Sequence, residues 1–292
     1  MADPSNSNLD PASNVSPNTY PAGSKLRQEL FDATKLATGW DPFDWQLNVA
    51  EALCKRRDVL CIAGTGSGKT LPFVMPTFVD PKALVWIVSP LNYIEQQQQK
   101  TFSDWNVKAF AVNATTSYLG LRSDILAGKY RVIITSPEQL LEYNKLRPII
   151  IQLGAQNWNN IVIVDECHCI CIWSEQFRRM YGLLGSIHTF LCPGTPFCAA
   201  TATATRSMQK QILSSLWYTS DYLFENRGYW KSNLSWHTYY MKGADASLGE
   251  ITYMFPRGIK VKSDIPTTLI FVDQRGLAFE LFRILRKFLP GV

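Results

Sequence analysis

The stretch Ala63-Gly64-Thr65-Gly66-Ser67-Gly68-Lys69-Thr70 follows the apolar run Val59-Leu60-Cys61-Ile62 and leads into a segment able to start a helix. Its glycines let the backbone turn successive N–H groups inward, a geometry that cradles phosphate oxygens. The Lys69 ammonium can then reach the β and γ phosphates of a nucleotide, and the Thr70 hydroxyl can ligate Mg²⁺. The phosphate-loop pattern opens on glycine, whereas Ala63 stands there in this chain. Context makes up for the departure: a strand precedes the loop, and a carboxylate pair, Asp165-Glu166, follows a later strand.

Outward from the loop, strand and helix patterns alternate. Upstream, Leu26, Leu30 and Phe31 share one helical face, Gly39-Trp40-Asp41-Pro42 breaks the period, and a second helix begins at Gln46. That helix carries Leu47, Ala50, Leu53 and Cys54 on one side and ends in Lys55-Arg56-Arg57, cations placed where the helix dipole favours them. Downstream, residues 83–89, 108–112 and 131–135 read as strands, separated by helical periods at 93–105 and 118–127 and followed by one at 138–145. Ile161-Val162-Ile163-Val164 is an unbroken β-branched run, the pattern of a strand buried on both faces. Residues 199–204 repeat that pattern, 207–217 return as a helix, and 218–240 are polar, aromatic and irregular. The alternation predicts an α/β fold with a mainly parallel sheet flanked by helices. Further on, Thr268-Leu269-Ile270-Phe271-Val272 reads as a strand, and Leu277, Leu281, Phe282, Leu285 and Phe288 line one face of a final helix.

With 292 residues, 46% of them hydrophobic, the chain can bury one large or two ordinary cores. A formal charge of +5 permits a polyanionic partner without requiring one. Seven cysteines, an odd number scattered through the chain, predict free thiols in a reducing compartment. No basic-then-apolar leader and no long apolar run is read, so neither secretion nor a membrane partner is expected. Residues 1–24, rich in Pro, Ser and Asn and lacking Lys and Arg, are expected to be a disordered tail.

An aspartate at the end of a buried strand beside a phosphate loop can hold Mg²⁺, and an adjacent carboxylate can orient or deprotonate an attacking water. Asp165 and Glu166 fit those roles, with Lys69 as the third catalytic candidate. Cys167 and His168 complete the tetrapeptide Asp-Glu-Cys-His, which resembles motif II of the DEAD/DEAH-type superfamily 2 helicases. The run from His168 through Trp173, Ser174-Glu175-Gln176, Phe177 and Arg178 to Tyr181 resembles the aromatic-rich loop of RecQ-type DNA helicases. The resemblance implies that Trp173, Phe177 and Arg178 sense single-stranded DNA; a ring can stack on a base and an arginine can hold a phosphate. The residue pattern alone leaves open that Trp173 and Phe177, four apart, form an apolar helix face. Where the family has Gly-His-Asp inside the loop, this chain has Ser174-Glu175-Gln176.

Further stretches match family motifs in order. Gln46 with Trp40 upstream resembles the adenine-reading pair, one residue closer together than usual. Ser89-Pro90-Leu91 resembles motif Ia and Thr135-Ser136-Pro137-Glu138 motif Ib, both of which touch the nucleic-acid backbone in such helicases. Thr201-Ala202-Thr203 resembles motif III, whose hydroxyls, with His168, couple the nucleotide site to the strand. The resemblance implies ATP and Mg²⁺ as cofactors, with Trp40, Gln46, Gly64, Thr65, Gly66, Ser67, Gly68, Lys69 and Thr70 around the nucleotide and Thr70 and Asp165 at the metal. Cys167, Cys169 and Cys171 alternate in a spacing unlike a zinc site, and no metal is assigned to them.

The resemblance implies a helicase ATP-binding, first RecA-like domain over 25–220, a linker over 221–240 and an incomplete second RecA-like domain over 241–292. Residues 268–272 stand for motif IV, while motifs V and VI have no counterpart before Val292. The expected activity is that of a RecQ-type 3′-to-5′ ATP-dependent DNA helicase acting on single-stranded or tailed duplex DNA in the nucleus or cytoplasm, in recombination and repair. The 292-residue chain alone is expected to be weak or inactive, binding ATP and single-stranded DNA and hydrolysing ATP feebly; the alternatives are a truncated nucleotide- and DNA-binding module without unwinding activity and an RNA helicase, against which the aromatic loop argues.

Overall fold

The computed structural model describes residues 23–90, 92–112, 116, 120–173, 179–228, 233–240, 245–255, 259, 264–265 and 267–289. The chain divides into two compact units, Met1–Trp230 and Lys231–Val292. In the first, strands β1 (Asp58–Ala63), β2 (Ala83–Val88), β3 (Ala109–Val112), β4 (Val132–Thr135), β5 (Asn159–Val164), β6 (Phe197–Thr201) and β7 (Tyr222–Gly228) form one sheet in the order β3-β4-β2-β5-β6-β1-β7. Every pairing in it is parallel.

Helices lie on both faces, as parallel connections require. Five precede β3: α1 (Lys25–Thr38), α2 (Asp44–Cys54), α3 (Thr70–Val74), α4 (Pro76–Val79) and α5 (Asn92–Asp104). The remaining helices of this unit are α6 (Leu121–Leu126), α7 (Pro137–Leu141), α8 (Arg147–Ala155), α9 (Cys169–Trp173) and α10 (Arg206–Ser215), with a 3₁₀ segment over Arg179–Thr189. The two-residue period of a strand sorts the core. Val59, Cys61 and Ala63 of β1 pack with Leu30, Val49, Leu53, Phe73 and Phe102 on one face. Leu60 of β1 packs on the other with Trp86, Ile125, Ile150, Leu153 and Ile212. Trp86 is wholly buried, and its indole N–H donates to Asn160 Oδ1 at 2.9 Å.

Three expectations change. Ser24, assigned to a disordered tail, is the N-cap of α1, where its hydroxyl accepts from Arg27 N at 3.1 Å and donates to Glu51 Oε1 at 2.6 Å; the earlier tail residues, 1–22, lie outside the described residues. The interval read as a linker contains β7, which pairs with β1 in parallel register from Asp58↔Tyr222 onward. An edge strand buries little, so Glu225, Asn226 and Arg227 conceal it from an apolar-run search. Residues 268–272, read as a strand, carry no regular element, and Leu269 and Phe271 are exposed. An apolar run becomes a strand only when a neighbour completes its hydrogen-bond ladder. In Lys231–Val292 the described regular elements are a 3₁₀ segment over Asp245–Met254 and the helix α11 (Arg275–Phe288), whose Phe288 packs against Phe255 at 6.4 Å between ring centroids.

Because the strands are parallel, the segments leaving β1, β2, β4, β5 and β6 all emerge at one edge of the sheet. They are the phosphate loop, Ser89-Pro90, Ser136, Asp165-Glu166 and the Thr201–Thr203 turn.

Candidate functional site

Between β1 and α3 the loop turns through Gly66 and Gly68, at φ 78° and 86°. A side chain at Gly68 would be strained by that φ and would also place its Cβ 2.8 Å from Gln46 Nε2. The close approach has a cause: Gln46, buried on α2, donates from Nε2 to Gly68 O at 2.9 Å, while its Oε1 accepts from Phe43 N at 2.9 Å. Gln46 thus braces the loop against the start of α2 and keeps one amide proton and one lone pair for a ligand. Lys69 Nζ lies over the loop and donates to Ala63 O at 2.8 Å. Thr65, Gly66 and Gly68 are exposed, Thr70 begins α3, and the buried Ser67 Oγ has no partner among the described residues.

Lys69 and Thr70 face Asp165 and Glu166 across a cleft of about 400 Å³ that Gln98 and Thr101 of α5 also line. Asp165 continues the ladder of β5, with its N–H on Val88 O at 2.9 Å. Its carboxylate accepts from Glu166 N at 3.0 Å and from Gln98 Nε2 at 3.0 Å. Burial, with Glu166 alongside, still pushes its pKa up to about 6. Glu166 sits at φ 49°, in the left-handed region where a non-glycine residue is strained. Its carboxylate lies 3.2 Å from His168 Nδ1, and that hydrogen bond holds it below the usual glutamate range despite partial burial.

His168 also approaches Thr201 Oγ1 through Nδ1 at 2.9 Å and Cys169 Sγ through Nε2 at 3.8 Å. Hydrogen bonds to the thiol and to Glu166 raise its pKa to about 10, so both ring nitrogens carry protons at neutral pH. Thr201 Oγ1 in turn donates to Thr203 O at 3.2 Å and accepts from Thr203 N at 3.3 Å. A continuous path therefore runs from Glu166, just past β5, to the turn after β6. The donor set fits Mg²⁺ and a polyphosphate: a hydroxyl and a carboxylate as hard oxygen ligands, an ammonium, and exposed loop backbone. The unpartnered Ser67 hydroxyl, buried in the same loop, is consistent with that fit.

Beside the loop, Trp40, Phe43, Gln46 and Trp105 line a second, mainly apolar cleft of about 340 Å³. Trp40 stands edge-on to Trp105 with ring centroids 6.2 Å apart and is 61% exposed, so its ring is available to a flat ligand.

The other expected residues distribute unevenly. Ser89 and Thr135 are buried, Pro90 with them, so their side chains are out of reach of a nucleic acid in this conformation; Ser136, half-buried ahead of α7, is the one of the four that reaches the surface. Burial follows from position, since Ser89 and Thr135 continue and end adjacent strands, with Ser89 N on Thr135 O at 2.9 Å. Trp173 ends α9, and its side chain, like Phe177 and Arg178, lies outside the described residues. Sequence reasoning missed Gln98, Phe43 and Trp105. Gln98 stands in a run of four glutamines, 96–99, and helix rotation alone selects the member that meets Asp165.

Residues 43–211 match the DEAD/DEAH box helicase family. The chain is 32% identical over 179 residues to the mouse bifunctional 3′-5′ exonuclease/ATP-dependent helicase WRN, a match covering 61% of this chain and 12% of that protein. It is 30% identical over 201 residues to the ATP-dependent DNA helicase RecQ of Synechocystis, covering 65% of this chain and 40% of the relative. The chain thus spans well under two thirds of these relatives. A crystal structure of the DUF1998 helicase MrfA superposes with a TM-score of 0.61 at 16% identity, over 91% of this chain and 42% of that one.

Proposed function

The chain belongs to the DEAD/DEAH box helicase family, and on that premise we propose that it is a RecQ-type ATP-dependent DNA helicase, binding Mg²⁺-ATP and single-stranded DNA and moving 3′ to 5′. The observation that carries the nucleotide part is the convergence of Lys69, Thr70, Asp165 and Glu166 on one cleft. The RecQ part is supported by the similarity to the helicases WRN and RecQ and by the His168-to-Tyr181 run.

In this reading the Lys69 ammonium exchanges Ala63 O for the β and γ phosphates, and the loop N–H groups hold the phosphate chain. Thr70 and Asp165 would hold Mg²⁺, which supplies charge to the transferring phosphoryl group. Glu166, kept ionised by His168, accepts the proton of the attacking water. Trp40 packs against the base, and the free amide valences of Gln46 read its edge. The His168–Thr201–Thr203 path ties the state of the Glu166 carboxylate to the sheet edge where a strand would lie.

Two measurements on the 292-residue chain test the proposal. Lys69→Ala should abolish binding of a fluorescent ATP analogue; equal affinity for variant and wild type would remove the nucleotide reading. At most weak strand displacement is expected of this chain alone, with a 3′-tailed DNA duplex and not with a 5′-tailed one. Nucleotide and strand binding without displacement would reduce the protein to a binding module, and preference for an RNA duplex would replace the DNA assignment.

A further inference from the structure

We infer that Gln98 is a positioning residue for the divalent cation of this cleft: its amide N–H fixes Asp165, and its carbonyl oxygen accepts from a water of the hydrated cation. The inference rests on the nucleotide reading above and adds a residue to it. Gln98 is 7% exposed and lines the cleft together with Lys69, Thr70 and Asp165. Its Nε2 donates to Asp165 Oδ2 at 3.0 Å. Its Oε1 is buried and has no partner among the described residues.

The orientation of the amide follows from chemistry. Turned over, Gln98 would set its carbonyl oxygen against a carboxylate oxygen, two acceptors facing each other at hydrogen-bond distance. With Nε2 on Asp165, the unmatched atom is an acceptor, and an acceptor buried without a donor destabilises the fold. A chain gains from such an arrangement where a ligand brings the donor. Mg²⁺ dehydrates reluctantly and keeps several waters, whose protons are strong donors in need of acceptors. Asp165 gives one lone pair on Oδ1 to Glu166 N and one on Oδ2 to Gln98, and each oxygen retains another for the cation or its waters.

The neighbouring glutamine sharpens the assignment. Gln99 is turned towards the sheet, where its Nε2 donates to Ala109 O at 3.1 Å and so ties α5 to β3. Two consecutive glutamines thus have different tasks, one fastening the helix and the other reaching the cleft.

Two variants of the full chain, Gln98→Leu and Gln98→Asn, test the inference; the first removes both amide functions at similar size, and the second withdraws them by one methylene. Mn²⁺ affinity is read by electron paramagnetic resonance in the presence of ADP, alongside ADP affinity in EDTA and thermal melting. The expected result is Mn²⁺ binding weakened by about tenfold to a hundredfold in both variants, with ADP affinity in EDTA held within about twofold. Mn²⁺ affinity equal to wild type in whichever variant folds, with or without a lowered melting temperature, would leave Gln98 only a tie between α5 and β5 and overturn the inference. Wild-type protein that binds neither ADP nor Mn²⁺ would instead remove the nucleotide reading and this inference with it, so the two failures are distinguishable.

Discussion

The middle of the parallel sheet and its C-terminal edge are made by the same strands, yet they obey opposite rules. Val85, Trp86 and Ile87 of β2, Val162 and Ile163 of β5 and Cys198 to Ala200 of β6 are all fully buried, and their side chains are apolar. At the ends of the same strands stand Ser89, Asp165, Glu166 and Thr201. There a carboxyl is buried against its charge, a glutamate holds a left-handed backbone, and buried oxygens of Ser67, Ser89 and Gln98 lack partners among the described residues. Left-handed residues and unpartnered buried polar atoms occur elsewhere among the described residues too, at Asn157 and at Asn160 Nδ2 among others, but at this edge they fall on or beside the residues that line the cleft, where lost stability can serve chemistry.

The largest expected effect at the edge is on turnover alone. Glu166→Gln keeps the shape and removes the proposed base, so ATP hydrolysis should fall by about 10²- to 10⁴-fold while nucleotide affinity and melting temperature stay close to wild type. Single-turnover hydrolysis with parallel melts checks this, and undiminished turnover would move the proton acceptor elsewhere. The middle should show the converse. Trp86→Ala removes a wholly buried indole and leaves Asn160 Oδ1 without its donor. It is expected to cost about 3–5 kcal/mol of stability in denaturant titrations, with unaltered nucleotide affinity in the fraction that remains folded.

A smaller effect should carry the opposite sign. The Asp165 pKa lies at about 6, above the ordinary carboxyl value of 3.8. Its ionisation therefore opposes folding. The opposition is absent below the unfolded value, grows as pH rises between the two values and is complete above about 6. Asp165→Asn in EDTA should thus raise stability at pH 8 by an amount of the order of 3 kcal/mol at most, and the gain should vanish as the pH falls below 4. A variant no more stable than wild type at pH 8 would place Asp165 with the satisfied interior rather than the strained edge.

The same division decides what the amino-acid sequence discloses. Buried parallel strands announce themselves as apolar runs, so β1, β2, β4 and β5 are legible, and the phosphate loop is legible because few backbones need its glycines. Asp165 and Glu166 follow from their place after the run 161–164. β7 was illegible because an edge strand pairs on one side and tolerates Glu225, Asn226 and Arg227. The run 268–272 misled for the converse reason, since apolarity alone cannot supply a neighbouring strand. Gln98 could not be singled out within 96–99, where the choice depends on the rotation of α5 against β5, a tertiary fact. The burial of Ser89 and Thr135 is of the same kind: a serine or threonine after a strand reads as a turn former until the adjacent strand is seen to cover it.

Gln46 and Gly68, twenty-two residues apart and joined by one hydrogen bond, behave as a linked pair of unequal members. In a genetic screen, a lesion at Gln46 should be open to second-site repair, because what it removes is a hydrogen-bond donor to Gly68 O, which does not depend on one particular backbone conformation. A lesion at Gly68 should not be. Shortening residue 46 would clear the 2.8 Å contact with a new Cβ, but no change at a distance relieves the φ of 86°. Suppressors would therefore map in one direction only, towards the glutamine, and revertants of a Gly68 mutation would restore glycine itself.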